Sequence, residues 1–280
     1  MVPARRGGAG DTFGGPGALG VAAAAISEDD AEFGERGPCR WARAALVFGG
    51  PLPSAGVATL ILLRHARSAA NGSGILAGRS AGVGLDETGA GQAAGLVDRL
   101  AGVPLREVVV SPLQRCQETV AGLVAQRELS PVVEPDLVEV DYGQWTGRKI
   151  SELTEEPLWR VVQQHPSAAV FPDGEGLAQV QARAVAAVRA WDRRLADDEV
   201  WLACTHGDVI KAVLADALGM HLDAFQRIVV DPCSVSVVRY TRTRPFVVKV
   251  NDTGGDVSAL VPPKSSEASD AVVGGSTGGA

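Results

Sequence analysis

The sequence predicts an α/β protein, a three-layer α/β/α sandwich built on a mostly parallel sheet. Three short apolar runs, at 57–63, 107–110 and 200–204, end abruptly in polar residues. Such runs are typical of strands that are buried on both faces. Each run is followed by a segment with the spacing of an amphipathic helix, and strands that alternate with helices form a parallel sheet covered on both sides.

The remaining elements follow from periodicity and from helix-start signals. Ser111 and Pro112 are interpreted as the N-cap and the first residue of a helix, which is the favoured place for proline. Pro166 ends another helix, because the residue before a proline avoids the helical conformation. In chain order, we predict helices at 86–100, 111–126, 159–164, 177–195 and 207–218, an extended segment at 131–140, and closing, partly antiparallel strands at 234–240 and 246–251.

The composition divides the chain into one domain and two flanking segments. Residues 1–56 are rich in Gly, Ala, Pro and Arg and lack sustained periodicity, so we expect a disordered leader, or a translation start near Val57. The pair Arg5-Arg6 is followed by glycines and not by an apolar run, which argues against an export signal. The domain is expected at 57–255, and a disordered tail at 256–280.

Charge and cysteine usage exclude several classes of protein. The formal net charge of −7 argues against a nucleic-acid binder, which needs a basic face. No stretch reaches the roughly 18 to 20 apolar residues that span a bilayer, so no membrane partner is expected. The four cysteines are widely spaced and show no paired motif, which is typical of a reduced compartment. We therefore predict a cytoplasmic protein.

Polar residues with one chemical theme follow three of the predicted strands. Arg64 and His65 follow the first, Arg115 lies in the first turn of the helix after the second, and His206 and Gly207 follow the third. In open α/β sheets, ligands bind beyond the carboxyl ends of the strands. Arginine forks and helix N-termini bind tetrahedral anions, so these residues predict a phosphate pocket.

Such a pocket suits phosphoryl transfer. The arginines, with Arg79 as a further candidate, would cancel charge in the transition state, and a neutral imidazole is a competent nucleophile. The leaving oxygen needs a proton donor, for which Glu139 is the best candidate and Asp141, two residues on, is the alternative. No cofactor is implied, and the expected partner is a small phosphorylated substrate.

Four segments in order make residues 57–255 resemble the histidine phosphatase superfamily, also called phosphoglycerate mutase-like, and within it an actinobacterial phosphomutase-like branch. They are Arg64-His65-Ala66, which matches an Arg-His-Gly motif, Ser111-Pro112-Leu113-Gln114-Arg115, Glu139-Val140-Asp141-Tyr142-Gly143 and Thr205-His206-Gly207.

The resemblance implies a phosphoglycerate mutase-like fold and a metal-independent phosphomonoester hydrolase. By it, His65 is transiently phosphorylated and Glu139 is the proton donor. The resemblance also implies a set of residues that hold the phosphoryl group: Arg64, Ser68, Asn71, Arg79, Arg115, His206 and Gly207.

Three other interpretations compete with a hydrolase. A phosphoglycerate-type mutase would need basic residues for the substrate carboxylate, and the acidic Asp141 in the donor segment disfavours it. A catalytically dead module should have lost one of the expected groups, and all are present. A metal site formed by His65, His206 and Glu139 is disfavoured because the neighbouring arginines would repel a cation. Lys211 is interpreted equally as a surface charge or as a substrate contact.

Overall fold

The computed structural model describes residues 58–255, so the predicted leader and tail lie outside the described residues. One six-stranded sheet runs through this part of the chain, in the order β3-β2-β4-β1-β5-β6. Its strands are β1 (Thr59–Arg64), β2 (Leu105–Val110), β3 (Val132–Val133), β4 (Val200–Thr205), β5 (Val235–Tyr240) and β6 (Pro245–Asp252).

The sheet is mostly parallel, as predicted. β4 pairs in parallel with β1 on one side and with β2 on the other, and β2 pairs in parallel with β3. β5 and β6 are antiparallel to their neighbours, which confirms the closing strands. Because β1, β4 and β2 are parallel neighbours, their carboxyl ends lie side by side at one edge of the sheet.

Helices cover both faces of this sheet. They are α1 (Ala69–Gly72), α2 (Glu87–Arg99), α3 (Gln114–Gln126), α4 (Ile150–Leu153), α5 (Pro157–Gln164), α6 (Leu177–Asp192) and α7 (Gly207–Ala217). Along β1, Leu60 and Leu62 pack into the core beneath α6 and α7, whereas Ile61 and Leu63 pack into the core beneath α2 and α3. Successive strand side chains point to opposite faces, so this alternation is that of a strand buried on both sides and confirms the three layers.

Two predicted boundaries are wrong. The helix after β2 begins at Gln114 with Leu113 as its N-cap, because Ser111 uses its hydroxyl for a hydrogen bond to His206. Residues 131–140 contain only the two residues of β3, and the segment Pro135–Leu137 forms a 3₁₀ turn that Glu134 caps.

Within residues 58–255, no helix combines the length and the apolar character that crossing a bilayer requires.

Candidate active site

His65 lies directly after β1 and is buried, with its imidazole fixed by two contacts. Its Nδ1 lies 2.8 Å from the Ala66 carbonyl, which can only accept, so Nδ1 carries the proton. The lone pair of Nε2 therefore points into the site, where Arg115 Nε donates to it at 3.3 Å. Burial first, and then the charges of Arg115 and Arg64, lower the pKa of His65 well below its usual 6.5. The ring is thus neutral, with Nε2 available to react.

His206 is the N-cap of α7, and its ring centroid lies 5.2 Å from that of His65. Arg115 Nη2, which can only donate, lies 3.2 Å from its Nδ1. The proton therefore sits on Nε2, which donates to Ser111 Oγ at 2.7 Å. Burial, followed by Arg115, lowers the pKa of His206 well below its usual value. The predicted meeting of the two imidazoles at one edge of the sheet is confirmed.

Arg115 joins the two histidines and is itself buried. Besides the histidine contacts, its Nη2 donates to the Gly78 carbonyl at 2.9 Å, while Nη1 has no hydrogen-bond partner among the described residues. A buried donor without a partner costs free energy, on the order of 1–3 kcal/mol. Such a donor beside two imidazoles is well placed to bind an oxygen of an anion.

Arg64, the last residue of β1, supplies a second buried guanidinium. Its Nη1 donates to the Val230 carbonyl at 2.7 Å.

In residues 58–255, no group of three or more His, Cys, Asp or Glu side chains is arranged to hold a metal ion. Two buried cations beside two neutral imidazoles suit an anion better than a metal, and the guanidinium fork matches a phosphate.

Glu139 reaches the site from the loop before α4. Its carboxyl is buried and its Oε2 lies 3.8 Å from His206 Nδ1, while its Oε1 accepts from the Val140 N–H at 3.0 Å. Burial, and next the charge of Asp208, raise the pKa of Glu139 to about 7. A carboxyl that keeps its proton near neutrality can act as a general acid. The Asp141 side chain, by contrast, is 39% exposed and lies near Arg79.

Two arginines hold the backbone of Glu139 in place. Arg79 Nε and Arg183 Nη2 both donate to the Glu139 carbonyl, at 2.9 and 3.2 Å. Both guanidiniums also bind Glu175, at 2.7 Å from Arg79 and 2.9 Å from Arg183. Arg79 was expected to contact the phosphate. In this structure it instead binds the Glu139 carbonyl and Glu175 and so supports the segment that carries Glu139.

The other expected phosphate contacts lie near the same edge. Ser68 and Asn71 form a capping box on α1, in which Ser68 Oγ accepts from the Asn71 N–H at 3.3 Å and Asn71 Oδ1 accepts from the Ser68 N–H at 3.1 Å. Gly207 is the first residue of α7, where an anion is favoured by the helix dipole. Direct phosphate contacts from Ser68, Asn71 and Gly207 stay a prediction.

The groups behind Glu139 were not predicted from the sequence. Asp208 and Lys211 are buried on α7, with Lys211 Nζ 3.5 Å from Asp208 Oδ1, and the interpretation of Lys211 as a surface charge is wrong. Their i, i+3 spacing in the otherwise apolar first half of α7 was the available signal. Tyr142 is also buried and donates to Asp208 Oδ2 at 2.8 Å. Arg183 and Glu175, eight residues apart, show no local pattern.

Replacing Ser111 by alanine should weaken catalysis without unfolding the protein. The change leaves His206 Nε2–H buried without the Ser111 acceptor, at a cost on the order of 1–3 kcal/mol, which corresponds to roughly a 5- to 160-fold loss of kcat/KM. Ser111→Thr keeps the hydroxyl and is the matched control. Phosphatase rates together with thermal melting measure the effect, and an unchanged rate for Ser111→Ala would contradict this role.

Residues 60–253 match the family model of the histidine phosphatase superfamily (branch 1). The chain is 30% identical over 200 residues to Phosphoserine phosphatase 1 of Hydrogenobacter thermophilus, a match that covers 69% of this chain and 92% of the relative. It is 29% identical over 205 residues to Probable phosphoglycerate mutase GpmB of Proteus mirabilis, over 71% and 93% of the two chains. The structure of Bacillus stearothermophilus YhfR superposes with a TM-score of 0.64 at 26% identity, over 70% of this chain and 97% of that one.

Proposed function

This chain belongs to the histidine phosphatase superfamily (branch 1) and is a phosphoric monoester hydrolase, and we propose that it acts through a phosphohistidine at His65. The proposal rests on two buried groups at one site, whose surroundings shift their pKa values in opposite directions. The pKa of His65 is lowered well below 6.5 and that of Glu139 is raised to about 7. A neutral nucleophile and a protonated acid therefore coexist from the acidic to the neutral range.

In the first step, His65 Nε2 attacks phosphorus. The P–N bond forms as the bond from phosphorus to the leaving oxygen breaks, and Glu139 gives its proton to that oxygen. The alcohol leaves, and Glu139 is left as a carboxylate. Arg64, Arg115 and the N–H groups at the start of α7 cancel charge on the transferred phosphoryl group.

In the second step, water replaces histidine on phosphorus. The Glu139 carboxylate takes a proton from the attacking water, the new P–O bond forms, and the P–N bond breaks. Inorganic phosphate leaves, His65 is neutral again, and Glu139 again carries its proton. The arginines supply the positive charge that a metal ion would otherwise provide, so the proposed cycle needs no metal.

A phosphoglycerate-type mutase is the second candidate, since one relative bears that name. In a mutase the phosphohistidine passes its phosphate to a second hydroxyl, and the site must also hold a carboxylate. Here the partly exposed rim beside Glu139 carries Asp141 and Glu175, each close to Arg79. Arg79 and Arg183, the basic groups at this rim, are engaged by these carboxylates and by the Glu139 carbonyl and are not free to hold a substrate carboxylate, so hydrolysis is favoured.

One assay separates these functions. With EDTA present, the enzyme is expected to release phosphate from p-nitrophenyl phosphate and to show at most slow isomerisation of 3-phosphoglycerate in the presence of a bisphosphate primer. Efficient isomerisation would establish the mutase instead, and inactivity that a divalent metal relieves would remove the metal-free cycle.

The substrate is proposed to be a small phosphorylated metabolite in the cytoplasm. Phosphoserine is the first compound to assay, because a relative that matches over most of its length is named a phosphoserine phosphatase. Cys116, Cys204 and Cys233 are buried free thiols, which agrees with a reducing compartment. Release of phosphate from a panel of phosphorylated metabolites, and fractionation of the producing cells, test the two parts of this proposal.

A further inference from the structure

A buried network of three side chains lies behind the proposed proton donor. Tyr142, three residues after Glu139, donates to Asp208 Oδ2 at 2.8 Å. Lys211 Nζ lies 3.5 Å from Asp208 Oδ1 and donates to Gln226 at 2.9 Å. Tyr142, Asp208 and Lys211 are each at most 3% exposed. The mechanism described above has no task for them.

The network ties the donor segment to the helix that carries His206. Asp208 lies two residues after His206 in the first turn of α7, and Glu139 Oε2 is 3.8 Å from His206 Nδ1. The hydrogen bond from Tyr142 to Asp208 therefore fixes the chain after Glu139 against the start of α7. Burying a carboxylate is costly unless it is paired, and Tyr142 and Lys211 are two of the groups that pair with Asp208.

The carboxylate of Asp208 has a consequence for Glu139. The charged and titratable groups that face Glu139 are Arg115 from α3, Arg64 from β1, His206, Asp208 and Lys211 from α7, and Tyr142 from the segment that carries Glu139 itself. The two arginines lower the pKa of Glu139. Burial, and next the negative charge of Asp208, raise it and outweigh the arginines. Without Asp208, burial alone would oppose the two guanidiniums, and the pKa of Glu139 would be lower.

We propose that Asp208, held between Tyr142 and Lys211, is a positioning residue that keeps Glu139 protonated and in place beside His206. This inference rests on the proposed role of Glu139 as the proton donor. It gives the buried lysine a task, which is to keep a negative charge stable in the core. The like charge of Asp208 thus offsets the effect of the arginines on the acid.

The test is the Asp208→Asn variant, which keeps the shape and an acceptor for Tyr142 but removes the charge. The descending limb of kcat/KM against pH, measured with an alkyl phosphate such as glycerol phosphate, should move to lower pH. A shift of one pH unit would lower the rate above neutrality about 10-fold. With p-nitrophenyl phosphate, whose leaving group needs little proton transfer, the loss should stay below about twofold.

Asp216→Asn is the matched control, since it makes the same change near the other end of α7, where Asp216 binds Arg189 at 2.8 Å and is partly exposed. Its pH profile should equal that of the unchanged enzyme. Should Asp208→Asn fail to fold, Tyr142→Phe keeps the ring that packs on Phe171 and breaks the tie to Asp208. It should show the same selective loss on the alkyl phosphate.

The outcomes separate this inference from the proposed function. If the unchanged enzyme has no descending limb on the alkyl phosphate, the role of Glu139 fails and this inference fails with it. If the unchanged enzyme has that limb, two results refute only the role of Asp208. One is that the variants leave the limb at the same pH, and the other is that they lower kcat/KM equally on both substrates.

Discussion

A His65→Ala variant is expected to lose turnover by about four orders of magnitude or more, because alanine removes the atom that forms the P–N bond. The buried arginines would still bind phosphate, so substrate should still bind to the variant. Two measurements check this expectation. The first is the initial rate with p-nitrophenyl phosphate at slightly acidic pH. The second is an alkaline quench with labelled substrate, which preserves the acid-labile phosphohistidine of the unchanged enzyme and should find no label on the variant.

The chain provides a matched control for this experiment. His165 is 69% exposed, away from the buried site, and His165→Ala should keep the original rate within about twofold, as expected of a surface change. Label recovered on His206 in place of His65 would show that His206 is the nucleophile. A substantial rate for His65→Ala would rule out covalent catalysis through His65.

The second large effect concerns the proton donor. Below about pH 7 Glu139 keeps its proton, because burial and then Asp208 raise its pKa to that value. Above it, the protonated fraction falls, so kcat/KM on an alkyl phosphate should decline tenfold with each further pH unit. On the acid side, the lowered pKa of His65 keeps the nucleophile neutral well below pH 6.5. The expected profile is therefore a bell with an acidic-to-neutral optimum.

Glu139→Gln removes the transferable proton and should lower kcat/KM on the alkyl phosphate about 10²- to 10⁴-fold. The descending limb of the pH profile should disappear, and kcat/KM on p-nitrophenyl phosphate should fall far less than kcat/KM on the alkyl phosphate. Glu155→Gln, the same change at an exposed position, serves as the control. The assignment would be overturned if Asp141→Asn, and not Glu139→Gln, abolished the limb.

Much of the fold follows from local patterns. The apolar runs that became β1, β2 and β4 are continuous because both faces of these strands are buried, and the sequence displays that condition directly. Parallel neighbours then place the residues after them at one edge, so the meeting of His65 and His206 could be predicted. The start of α3 could not be predicted, because the Ser111 hydroxyl can either cap the helix or bind a residue far away in the chain. In the structure it binds His206.

By itself, then, the sequence determined the order of the motifs, the sheet that brings them together and the candidates for the reacting groups. Only the tertiary structure decided which ring nitrogen carries the proton, why Glu139 and not Asp141 is buried, and that Arg79 binds Glu175. It also decided that a buried carboxylate and lysine stand behind the acid. The physical reason is that a pKa depends on burial and on through-space charge, and the partners here are far apart in the chain, as are Tyr142 and Asp208, 66 residues from each other.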